Sequence, residues 1–280
     1  MEENVSIQRG ANGEQPYTQQ PQQTQQATAT FDFPTQVISL PSEGKVYAES
    51  NPLSKGTLEI KYMTAREEDI LADRNLINKG IVLQKLLESV VVQPGVNTDD
   101  LVIGDINAVY LATRMLGYGA DYDVEITDPF SGEKQKVKID LSKIQTKDID
   151  YSRLNSQNRY ELTLPVSKKK LVVRLLTHKD EKDINQEIQA MERLTKGKSV
   201  GSDVTTRFKY MIVEVDGNSD RGFINKFVPN MLAGDTKALR TFFKEMSPDL
   251  NMKYEFVSDI TGESEALDIP FGISFFYPTT

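Results

Sequence analysis

His178 is the sole histidine of the chain, and there is no cysteine and no tryptophan. A catalytic imidazole needs a nucleophile and an orienting group beside it. The neighbourhood Thr177-His-Lys-Asp180 supplies no such arrangement, so His178 reads as a solvent-facing or helix-capping residue. Without thiols there can be no disulfide, no thiolate zinc or iron–sulfur site and no cysteine nucleophile. One imidazole excludes zinc sites built on two or three histidines. Carboxylates remain. Asp121, Asp123, Asp128 and Glu133 could gather oxygen ligands for Ca²⁺ or Mg²⁺. Their spacing does not follow D-x-[DN]-x-[DN]-G-x₅-E, and a solvated turn is expected instead. Asp216-Gly-Asn-Ser-Asp220 lacks the glutamate of a calcium loop and reads as a plain turn. Lys168-Lys-Lys170 could touch an acidic partner or nucleic acid, but three lysines in a hairpin turn form a solvated tip. Lys196-Gly-Lys-Ser-Val-Gly201 has neither the order nor the position of a phosphate loop. No catalytic, cofactor-binding or metal-ligating residue is assigned, and no enzyme is expected.

The elements that must position these residues are legible in outline. Val37–Leu40 and Thr57–Tyr62 read as strands, the second alternating with period two. Thr64 with Glu67 three positions on is a capping-box pattern. The helix it opens should turn Ile70, Leu71 and Ile77 inward and end at Gly80. Ile81–Val92 is apolar at helical spacing, but its β-branched end (Ser-Val-Val-Val) leaves helix and strand open there. Asp105 is expected to cap a helix running to about Leu116, closed by Gly117-Tyr-Gly119. Tyr122–Ile126 and Val137–Leu141 then form a hairpin around Asp128–Gly132.

The second half follows the same order. Arg159–Leu164 and Leu171–Leu176 read as strands, and Thr177 as the cap of a helix carrying Ile184, Ile188 and Met191, closed by Gly197. Gly104-Asp-Ile-Asn-Ala-Val-Tyr110 aligns with Gly234-Asp-Thr-Lys-Ala-Leu-Arg240. Tyr122–Asp128 falls beside Tyr254–Asp259, and Gly132-Glu133 beside Gly262-Glu263. A spacing of about 130 residues is far too long for a solenoid repeat. The pattern predicts an α+β fold: a disordered Gln-rich tail over residues 1–30, a first unit over 31–150 and a second, related unit over 151–280, each with capped helices and a terminal hairpin. The tail (Gln15–Gln26) cannot bury enough apolar surface to order on its own.

The ordered string Leu40-Pro-Ser-x-Gly44-Lys-x-Tyr47, Thr64-Ala-x-Glu-Glu68, Gly104-Asp105 with Arg114 in the helix, Tyr118-Gly119-x-x-Tyr122 and Ile139-Asp-Leu141 resembles the T4-type bacteriophage baseplate protein family. That family includes the baseplate hub subunit and the hub assembly factor of T4-like phages. The resemblance spans about residues 37–145 and, in degenerate form, the second half. Many relatives carry a CPxCG-like knuckle where this chain has Asp128-Pro-Phe-Ser-Gly132. Both thiolates are missing, so that turn must be held by Pro129, Gly132 and the Asp128 side chain alone.

The resemblance implies a structural or assembly role in the hub region of a contractile-tailed phage baseplate. The partners would be other baseplate or tail proteins, with a second copy of the chain as a further candidate. The place of work would be the virion tail, after synthesis in the host cytoplasm. The alternative is a tail or head assembly chaperone that leaves before maturation. A nucleic-acid-binding regulator is disfavoured by 33 basic against 41 acidic residues, a formal charge of -8. No apolar run approaches the ~20 residues of a membrane span, and Met1–Gly10 has no signal-peptide pattern. The candidate partner contacts are Phe271, Ile273, Phe275, Phe276 and Tyr277 in the apolar C-terminal segment, which either completes a sheet as a last strand or docks on a neighbour as an arm.

Overall fold

The computed structural model describes residues 33–194 and 203–277. The expected tail at residues 1–30, Gly197 and the Lys196–Gly201 loop lie outside the described residues. The fold is α+β, with small antiparallel sheets set among short helices. Strand β1 (Thr35–Ser39) pairs with β2 (Thr57–Lys61), Val37 opposite Glu59. The alternation read in β2 puts Leu58 and Ile60 wholly inside.

Helix α1 (Ala65–Ala72) starts with the expected capping box at Thr64 and Glu67. It does not run on to Gly80. The Asp73 carboxylate accepts the backbone N–H groups of Asn75 and Leu76 and starts a separate helix, α2 (Arg74–Asn78). A short acidic side chain competes for backbone donors, and here the competition breaks the helix. Leu71 is buried as expected, Ile70 is half-buried, and Ile77 is displaced to the surface. The ambiguous Ser-Val-Val-Val end resolves both ways. Helix α3 (Val82–Val90) stops at Val90, and Val91 forms an isolated antiparallel bridge to Ile60.

Helix α4 (Ile103–Tyr118) leads into the hairpin of β3 (Asp121–Thr127) and β4 (Lys134–Asp140). The second half opens with β5 (Tyr160–Thr163) and β6 (Lys170–Val173), the latter ending three residues earlier than expected. Helices α5 (His178–Leu194) and α6 (Asp203–Met211) precede β7 (Ile212–Val215), which completes the sheet β5-β6-β7. Helix α7 (Arg221–Phe227) and helix α8 (Ala233–Met246) follow, then the hairpin of β8 (Lys253–Val257) and β9 (Ser264–Asp268). A last 3₁₀ turn spans Ile273–Phe276.

The buried apolar side chains form two clusters. One gathers Leu58, Ile60, Leu71, Leu86, Leu87 and Val109. The other gathers Tyr160, Leu171, Val173, Ile212, Leu239 and Phe243. Ile269, Phe275 and Phe276, from the end of the chain, pack in the first cluster. The C-terminal segment therefore belongs energetically with residues far upstream of it. Burial of large apolar side chains stabilises by roughly 1.5–3 kcal/mol each, which is what holds the segment there.

Candidate functional site

Polar side chains buried at the joints between elements decide how surfaces are presented. Asp105 does not cap α4. Val102 is the N-cap, and Asp105 lies in the first turn with its carboxylate turned inward. It accepts the backbone N–H (2.9 Å) and hydroxyl (2.7 Å) of Ser42 and the Tyr47 hydroxyl (2.5 Å). The Tyr47 oxygen accepts the Val102 N–H in turn, at 3.0 Å. The Leu-Pro-Ser-x-Gly-Lys-x-Tyr loop is thereby latched to the start of α4. Burial raises the Asp105 carboxyl above its usual range in spite of these donors, and burial beside Asp105 raises the Tyr47 hydroxyl as well.

The second half repeats the latch. Asp235, in the first turn of α8, accepts the backbone N–H groups of Val166 (2.8 Å) and Ser167 (3.0 Å) after Leu164-Pro165. Burial pulls its pKa up, but the Ser167 and Val166 donors outweigh burial and hold it below the usual carboxylate range.

The two hairpin turns match even more closely. Asp128 N–H donates to the Glu133 carbonyl and Gly132 N–H to that of Asp128. Ser258 N–H donates to the Glu263 carbonyl and Gly262 N–H to that of Ser258. The Asp128 carboxylate accepts the N–H of Phe130 and Ser131, and the Ser258 hydroxyl oxygen accepts those of Ile260 and Thr261. The turns also meet: the Ser258 hydroxyl donates to Asp128 Oδ2 at 2.5 Å, across 130 positions of sequence. Three corrections follow. The turn at Asp128 is held by a hydroxyl from the other hairpin as well as by its own residues. Asp128 corresponds to Ser258 rather than to Asp259. Asp128 is buried, not solvated. Gln135 joins the hairpins a second time, its amide donating to the Val257 carbonyl and accepting the Asp259 N–H.

Arg114, buried in α4, anchors the C-terminal segment. Its guanidinium donates to the carbonyls of Phe275 (2.9 Å), Gly119 (3.0 Å) and Asp121 (3.2 Å) and lies over the rings of Tyr118 and Tyr122. The segment is neither a last strand nor a free arm. It forms the 3₁₀ turn Ile273–Phe276, with Phe275 and Phe276 fully enclosed against Tyr122 and Tyr110. Ile273 is half-buried, while Phe271 and Tyr277 keep 37% and 41% of their surfaces exposed. No hydropathy pattern signals a carbonyl acceptor, so Arg114 stood in the sequence as a motif residue without a role.

His178 is not solvent-facing. Its backbone N–H donates to the Leu101 carbonyl and its ring is buried. Burial, with Lys182 nearby, lowers its pKa. Asp121 pairs with Lys138 at 2.8 Å. In the Asp216–Asp220 turn, Asp216 takes Lys169 and the Lys170 N–H, and Asp220 caps α7. Among the described residues no group of three or more His, Asp or Glu side chains is placed to hold a metal ion. Among them, too, no helix is long and apolar enough to cross a membrane.

Glu67 gives the first joint a pH dependence. Its carboxylate accepts from Lys61 Nζ (2.7 Å), Ser89 Oγ (2.5 Å) and the Thr64 N–H and hydroxyl (2.8 and 2.7 Å). Burial pulls its pKa up, but these donors outweigh burial and lower it from 4.5 to about 2. A folded pKa below the unfolded one adds stability that is complete above about 4.5 and lost as pH falls toward about 2. Glu67→Gln breaks a buried pair and should cost about 3 kcal/mol at neutral pH. In denaturant titrations the gap to wild type should narrow steadily between those two pH values. A gap that does not depend on pH would refute the assignment.

These features define a class: an α+β protein whose polar interior joins loops and hairpins into a fixed surface. Residues 34–276 match the family model described as T4 bacteriophage base plate protein, so the chain belongs to that family and is a phage baseplate protein. Neither a curated protein nor a solved structure is similar to it in the same comparisons.

Proposed function

We propose that the chain is a non-enzymatic structural or assembly protein of the hub region of a contractile-tailed phage baseplate, acting through contacts with other baseplate or tail proteins. The observation that carries this reading is the family match over residues 34–276. The use of the buried polar side chains supports it. Asp105, Asp128, Asp235 and Arg114 each hold backbone groups in place. Fixed surfaces are what an assembly component must supply. The paired latches at Asp105 and Asp235 and the paired turns at Asp128 and Ser258 support two related units over 31–150 and 151–280. Phe271 and Tyr277, with the edge of Ile273, are the part of the C-terminal segment offered to a partner. The site of action is the virion tail, following synthesis in the host cytoplasm.

Co-expression of the full chain with individual hub and wedge proteins, followed by size-exclusion chromatography, tests the proposal. A stable complex with a hub component is expected, together with a fixed copy number by mass spectrometry of purified particles. Tyr277→Ser should weaken that complex at least tenfold without altering unfolding. Absence of any complex, with particles lacking the protein, would overturn the hub reading.

A further inference from the structure

The clasp between Asp128 and Ser258 sets the two hairpin tips side by side, and the tips share a design that the clasp does not use. Each turn places an apolar residue two positions after its clasp residue: Phe130 in one, Ile260 in the other. The backbone N–H of each is tied down by that clasp residue, which fixes the turn and leaves the side chain outward. Phe130 is 37% exposed and Ile260 62%, and Val257 beside the second turn is 51% exposed. Apolar residues at these positions do nothing for either core cluster.

Around them stand exposed carboxylates. Glu133 follows the first turn, and Asp259, Glu263 and Glu265 border the second. Among the described residues none of the four forms an ion pair, whereas the nearest lysine of the first hairpin, Lys134, is engaged by Glu125 at 2.5 Å. An apolar centre with an unneutralised acidic rim selects its partner by complementarity: the apolar contact contributes affinity and the rim sets specificity and encounter rate. It disfavours a second copy of this chain, since two such tips would bring like charges together in a molecule of formal charge -8.

We propose that the paired hairpin tips are a docking site for a basic–apolar segment of another baseplate protein. That segment inserts an aliphatic or aromatic side chain between Phe130 and Ile260 and brings lysine or arginine to Glu133, Asp259 and Glu263. The proposal rests on the baseplate reading above and adds the surface and the chemistry of the partner.

The test uses the full chain in infected host cells, with the photo-crosslinker p-benzoylphenylalanine in place of Ile260. The expected product is a crosslink to another tail protein, at a peptide carrying lysine or arginine within a few residues of an apolar one. Asp259→Lys/Glu263→Lys should then weaken the complex with that protein at least tenfold, and Phe130→Ser likewise. The unfolding midpoint of the charge-reversed variant should stay at the wild-type value, because Asp259 and Glu263 are exposed. Added salt should weaken the wild-type complex and have little effect on the charge-reversed one. A crosslink to a second copy, a crosslink to an acidic segment, or no crosslink overturns the proposal. So does entry of the charge-reversed variant into particles at wild-type copy number. Wild-type association with hub components, measured in parallel, fails only if the hub reading itself fails, which leaves the outcome at the hairpin tips distinguishable.

Discussion

Arg114→Met should lower the unfolding free energy by about 3–5 kcal/mol and free the C-terminal segment. The reasoning starts from burial. Arg114 is 2% exposed, and its donors serve three backbone carbonyls, one of them in the segment 161 positions downstream. Methionine fills much of the volume but donates nothing. A buried carbonyl left without a donor costs about 1–3 kcal/mol, and loss of the cation from the faces of Tyr118 and Tyr122 removes about 1–2 kcal/mol more. Against this stands the desolvation of the guanidinium itself. Burial lowers its pKa, and among the described residues no carboxylate hydrogen-bonds it, so removing the charge returns part of the loss. The net remains unfavourable because the Phe275 carbonyl is left buried without its donor and the contacts with both tyrosine rings are lost together.

The segment gives a second readout. Phe275 and Phe276 are wholly enclosed, and the Phe275 carbonyl is one of the groups that Arg114 holds. Without that anchor, cleavage by a protease of aromatic specificity should begin at Phe271–Tyr277 before the rest of the chain is attacked. Arg114→Lys should not restore stability, since an ammonium cannot span three carbonyls that a planar fork reaches. Equal unfolding midpoints for wild type and Arg114→Met, within about 0.5 kcal/mol, would remove Arg114 from its role.

What was legible in the sequence is what depends on neighbours in sequence. The capping box at Thr64, the alternation of β2, and the hairpin of β3 and β4 all obey local rules, and all are present. The family string was legible too, because it is a matter of order and spacing. The failures share a cause. Asp73 has the same local chemistry as a cap, and only competition with the rest of α1 decides that it breaks the helix. Asp105 looks like a cap from its neighbours, but its acceptors are filled by Ser42 and Tyr47, 63 and 58 positions away. Phe275 and Phe276 look like a sticky end until Tyr110, Tyr122 and Arg114 are brought to them by folding. Backbone acceptors carry no residue letter, so a contact such as that of Arg114 with the Phe275 carbonyl leaves no mark in composition or period.

Gly104→Ala and Gly234→Ala should differ sharply, although the two glycines occupy the same position in their helices. Both are second residues, of α4 and of α8. Intrinsic helix propensity therefore favours alanine equally at each, by about 1 kcal/mol. The surroundings differ. A Cβ on Gly104 would lie 1.8 Å from the Pro248 carbonyl oxygen and 2.6 Å from its carbon, both backbone atoms. That backbone cannot withdraw easily. Asn107 holds the Asp249 side chain at 2.9 Å, Lys147 N–H donates to the Asp249 carbonyl, and Thr146 bridges Leu250. A Cβ on Gly234 would meet only Val166 Cγ2, at 2.8 Å, a methyl on a partly exposed side chain that can rotate. Gly104→Ala should thus cost about 3 kcal/mol or more through overpacking. Gly234→Ala should fall within about 1 kcal/mol of wild type, where propensity offsets the rotation. Chemical unfolding of the two variants side by side decides the matter. If Gly104→Ala is as stable as Gly234→Ala, the approach of α4 to the Pro248–Asp249 backbone is looser than the structure has it.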